Sequence, residues 1–75
     1  MEVKIKNFDE NVDINKISNF LFRVQKNSGY LEKDTTLKSI RKELKDLRKN
    51  YKFILFEGYE NSHLIGLLLL FTNTP

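Results

Sequence analysis

At 75 residues and a net charge of +3, the chain is long enough for one domain or part of one, and no more. Hydrophobic residues make up 40% and charged residues 31%, a balance that excludes a disordered chain. With no cysteine and a single histidine, it cannot build a disulfide, a thiolate metal site or a histidine cluster, so the small core must rest on packing or on a partner.

Met1 to Lys6 alternates instead of forming an apolar signal core, so nothing suggests export and the cytoplasm is the expected location. Val3 and Ile5 alternating with Lys4 and Lys6 predict a short strand with one wet face. Residues 9–13 are rich in helix-capping side chains, with Asp13 the preferred cap. Ile14, Ile17, Leu21 and Val24 then recur at helical spacing, and Gly29 stands where a helix should stop, predicting a helix over 13–27. Phe22 lies off that stripe, which suits an exposed ring or a contact with a neighbouring subunit.

Residues 28–36 read as a polar connection in which Asp34, Thr35 or Thr36 can cap the next helix. Leu37, Ile40, Leu44 and Leu47 form the apolar stripe of that second helix, which should end near Asn50. Aromatic and branched residues from Tyr51 predict a strand, Gly58 to Ser62 a turn, and Leu64 to Phe71 a second strand, making 51–72 a β-hairpin. The run Leu64 to Phe71 is far shorter than the roughly 20 residues of a membrane span, so it is a buried strand with both faces expected to be covered. The expected fold is thus α+β or α/β, with element order β-α-α-β-β: a three-stranded antiparallel sheet with the two helices packed on it.

This order resembles the front half of the GNAT acetyltransferase superfamily, and so does the wording of the hairpin. Lys52-Phe-Ile-Leu-Phe-Glu-Gly58, a polar turn and His63-Leu-Ile-Gly66-Leu-Leu-Leu-Leu70 are similar to the second and third strands of that family, with Leu64-Ile65-Gly66-Leu67 matching the third. The resemblance covers nearly all of residues 1–75 and implies a partial GNAT-like domain whose parent is an acetyl-CoA-dependent N-acetyltransferase. The family's Arg/Gln-x-x-Gly-x-Gly/Ala loop, which holds the pyrophosphate of acetyl-CoA on backbone N–H groups, is not in this sequence. The chain alone is therefore expected to bind no cofactor and to be inactive, with no catalytic residue assigned. The family's acceptor site implies a substrate-binding role for Tyr30, Glu32 and Asp34 in the helix–helix connection, against the plainer reading of a solvated loop.

Three further groups bear on chemistry. Glu57 and Glu60 flank the hairpin turn, where Glu57 is either a general base or, more commonly, an exposed strand-end carboxylate. His63 reads as an ordinary solvent-exposed histidine beside a turn. Residues 38–52 carry Lys38, Arg41, Lys42, Lys45, Arg48, Lys49 and Lys52 against Glu43 and Asp46, a net of +5. That concentration supports the alternative of a small nucleic-acid-binding or protein-interaction module using the Lys/Arg face of 38–49. No aromatic residue is interleaved with the cations, which weighs against it. Whether the reading frame continues into a strand and a Gly-rich loop divides the two readings. The expected partner is a second copy paired along the Leu64–Phe71 edge, or the C-terminal half of the parent; no membrane is expected.

Overall fold

The computed structural model describes residues 1–73. Its elements in chain order are β1 (Glu2–Asn7), α1 (Ile14–Ser28), α2 (Leu37–Asn50), β2 (Lys52–Glu60) and β3 (His63–Asn73). The strands form one antiparallel sheet in the order β1-β2-β3, so the chain is α+β with the β-α-α-β-β order expected from its patterning. No helix among the described residues is long and apolar enough to cross a membrane. The chain divides into two compact units: the sheet unit, Met1–Val12 with the residues from Asn50 on, and the helical unit, Asp13–Lys49.

In the helical unit, both helix starts are set by side chains. Asp13 accepts a hydrogen bond from the Lys16 N–H at 3.2 Å, as a cap should. At α2 the cap is Thr36, not Asp34: its hydroxyl accepts from the Ser39 N–H at 3.0 Å while the Ser39 hydroxyl accepts from the Thr36 N–H at 2.9 Å. Helix α1 ends at Gly29, whose φ of 78° is left-handed and suits a residue without Cβ. There the Tyr30 N–H donates to the Gln25 carbonyl and the Gly29 N–H to Lys26, closing the last turn. Ile14, Ile17, Ile40 and Leu44 are buried, whereas Val24, expected on the apolar stripe, is 44% exposed. At about 100° per residue Val24 falls roughly 80° to one side of the line through Ile14, while Ser18, which is buried, stays near it. Phe22 is half-buried.

In the sheet unit, the register decides which face each side chain occupies. Lys4 pairs with Glu57 and Lys6 with Leu55, and directly opposed residues share a face. The lysines therefore lie on the same face as the buried Leu55, Glu57 and Tyr59, and Val3 and Ile5 lie on the other, Ile5 being 64% exposed. No residue of this edge strand is buried: Lys4 is exposed and Lys6 half-buried on the side of Leu55 and Glu57, while Val3 and Ile5 are exposed on the other. The alternation therefore does not mark one covered face. In β3, Leu68 and Leu70, opposite Phe56 and Ile54, stay exposed, so only one face of this apolar strand is covered.

The hairpin turn is tighter than expected. Only Asn61 and Ser62 lie between the strands, both at positive φ (51° and 67°), which is the two-residue turn that matches strand twist. Gly58 is not in the turn but within β2, opposite Gly66, with the Met1 sulfur 3.7 Å from where a Cβ on Gly58 would sit. A register shift between Gly58 and Tyr59 follows immediately, a usual place for glycine in a strand. At the other end of the hairpin, Phe53 makes edge-to-face contacts with Phe8, Tyr51 and Phe71 at centroid distances of 6.1, 6.4 and 5.7 Å.

Candidate functional site

The chemistry-bearing residues fall in three places, each within one unit. The first is the connection between α1 and α2. Tyr30 is 83% exposed, and Glu32 and Asp34 are exposed as well, all on a loop whose backbone is held by the Tyr30 N–H on Gln25 and the Thr35 N–H on the Glu32 carbonyl. An exposed ring and two exposed carboxylates on one short loop can meet a cation at the surface.

The second place is the covered face of the sheet. Glu57 stands in the middle of β2, not at its end, and its side chain is fully buried. Lys6 Nζ lies 2.7 Å from Glu57 Oε1, and Lys4 Nζ lies 5.0 Å from the centroid of the Tyr59 ring. Lys6 of β1 thus supplies positive charge directly beside the buried carboxylate of β2, while Lys4 lies over the Tyr59 ring. A fully buried carboxylate in contact with a lysine of the neighbouring strand links β1 to β2, which suits an organising role in the sheet. Nothing in the local wording marks Glu57 as buried; pairing it with Lys4 and placing Lys6 beside it requires the register.

The third place is a groove of about 840 Å³ in the helical unit, lined by Asn15 of α1, Thr36, and Lys38, Ser39, Arg41, Lys42, Lys45 and Asp46 of α2. Arg41 Nη1 donates to Asn15 Oδ1 at 3.4 Å, tying the two helices together at the groove. Four of the seven cations counted along 38–52, Lys38, Arg41, Lys42 and Lys45, therefore share one groove, and the structure adds Asn15, Thr36 and Ser39 to them. Glu60 and His63, by contrast, are exposed residues on either side of the Asn61–Ser62 turn.

Among the described residues, the glycines do not form a glycine-rich loop of the kind that holds a pyrophosphate on backbone N–H groups. Gly29 closes a helix, Gly58 and Gly66 face each other across the hairpin, and neither α1 nor α2 begins on a glycine. The N-terminus of α1 is already occupied by the Asp13 carboxylate, which repels an anion, and that of α2 by the Thr36–Ser39 pair.

No family model, curated protein or solved structure matches the chain.

Proposed function

We propose that this chain is the acceptor-side front half of a GNAT-type N-acetyltransferase fold. The observation that carries the reading is the connectivity. Both helices are inserted between the first and second strands of an antiparallel sheet ordered β1-β2-β3, and the hairpin carries the Leu64-Ile65-Gly66-Leu67 wording on its outer strand. The apolar face bearing Val3, Ile5, Ile54, Phe56, Leu68 and Leu70 supports it, because a sheet of that kind is built to be covered on both sides. In this reading the chain supplies the sheet and the exposed loop with Tyr30, Glu32 and Asp34 to an amine acceptor. Acetyl-CoA is held by a Gly-rich loop outside these residues, and the 75 residues alone do not catalyse transfer.

The test is the reading frame from which the chain derives. The expected result is a further antiparallel strand followed by the Arg/Gln-x-x-Gly-x-Gly/Ala loop, in a product that binds acetyl-CoA by titration calorimetry. A frame encoding no such loop, or a product containing it that ignores acetyl-CoA, overturns the proposal.

A further inference from the structure

Lys38, Lys42, Lys45 and Lys49 are all exposed, and at about 100° per residue they fall within roughly 60° of one another on α2. That stripe runs opposite the buried Ile40 and Leu44. Lysines three and four apart on a helix repel one another, and among the described residues none of these four has an ion-pair partner. The stripe therefore costs the helix stability without a structural return within the helical unit. Arg41, held by Asn15, and the hydroxyl-bearing Thr36 and Ser39 line the groove along the same helix, with Asp46 its one acid.

We propose that this lysine stripe and the groove beside it form a binding surface for the phosphate backbone of a nucleic-acid duplex, read without regard to sequence. The inference is independent of the acetyltransferase reading. Four cations on one line suit a regularly spaced polyanion. Lys38 to Lys49 spans about 16 Å at ~1.5 Å per residue, the axial length of about five steps of a duplex at ~3.4 Å each. Three of the four cations in the groove are lysines, point charges that suit phosphate oxygens approached from several directions. The groove has no aromatic lining residue, so nothing is offered for bases to stack upon, which favours a duplex over a single strand. A membrane surface fits poorly, because Ile40 and Leu44 are buried and α2 has no apolar face to insert beside its lysines.

Fluorescence anisotropy with random-sequence 20-base-pair DNA and RNA duplexes tests this on the whole chain. Micromolar binding at 50 mM salt is expected, falling about a hundredfold by 200 mM, as roughly four phosphate contacts require. Binding of both duplexes assigns the shared backbone chemistry; preference for one identifies the duplex form without altering the site. Lys42→Glu/Lys45→Glu should bind at least tenfold more weakly, while Lys26→Glu/Lys33→Glu, an equal charge change outside α2, should stay within about threefold of the parent, with circular dichroism confirming that both fold. Lys42→Gln/Lys45→Gln, a milder change, replaces the first variant if it unfolds. The proposal is overturned by absence of binding at 50 mM salt, by equal losses in the two double variants, or by poly-glutamate competing as well as the duplex.

Discussion

Lys6 Nζ sits 2.7 Å from a carboxylate oxygen of Glu57 that is wholly withdrawn from water, while the Lys6 side chain keeps 39% of its own surface exposed. The pair is asymmetric: one partner is partly solvated and the other is fully buried. Removing the lysine should therefore hurt more than removing both charges together.

Lys6→Ala is expected to destabilise the fold by about 2–3 kcal/mol, below the 3–5 kcal/mol of a fully buried pair because solvent reaches the lysine. The double change Lys6→Met/Glu57→Leu should be neutral or stabilising, since apolar residues of similar volume need no charge compensation. Urea denaturation of the three chains measures both. A near-neutral Lys6→Ala would show that the ion pair does not hold the carboxylate in place.

Ser62 occupies the second central position of the hairpin turn at a φ of 67°, where a side chain with a Cβ is strained. Ser62→Gly converts the turn to Asn-Gly, the pairing that this geometry prefers, and should stabilise by roughly 0.5–1 kcal/mol. Thermal denaturation followed by circular dichroism is the measurement, and a lower midpoint would count against the turn as described.

Ser18 is fully buried on α1, and among the described residues its hydroxyl has no hydrogen-bond partner. A buried unsatisfied hydroxyl costs about 1–3 kcal/mol, so Ser18→Ala should leave stability unchanged or raise it by about 1 kcal/mol. A clear loss of stability in chemical denaturation would mean that the hydroxyl is bonded after all.

β3 is the outer strand of the sheet, carries no charged side chain from Leu64 to Phe71, and has no strand on its far side among the described residues. Such an edge is a template for another strand, and two copies can satisfy it mutually about a twofold axis. The chain of residues 1–75 is expected to sediment as a dimer. Leu68→Lys, at a site 58% exposed in the single chain, should shift it towards monomer without changing its circular dichroism. A folded monomer at high concentration would exclude edge pairing.

The local elements were legible because their signals are local. Asp13 and Gly29 bracket α1 by capping chemistry that needs no distant partner, and the Leu37-Ile40-Leu44-Leu47 spacing admits little but a helix. The cationic run on α2 could likewise be counted directly. Apart from Val24, which lies at the margin of the α1 stripe, the places where sequence reading failed lie in the sheet and depend on register. Val3 and Ile5 are the apolar residues of β1, and patterning alone assigns them to the covered face. The antiparallel pairing of Lys4 with Glu57 puts the lysines on the side of Leu55 and Glu57 instead, because a period of two leaves a strand with two possible faces and the partner strand chooses. Gly58 looks like part of a turn, since glycine's freedom serves turns and strand irregularities alike, and only its position opposite Gly66 distinguishes them. Glu57 has no local mark of burial. The nearby ammonium of Lys6 makes a buried carboxylate tolerable there, and that proximity arises from 50 residues of intervening chain being folded back.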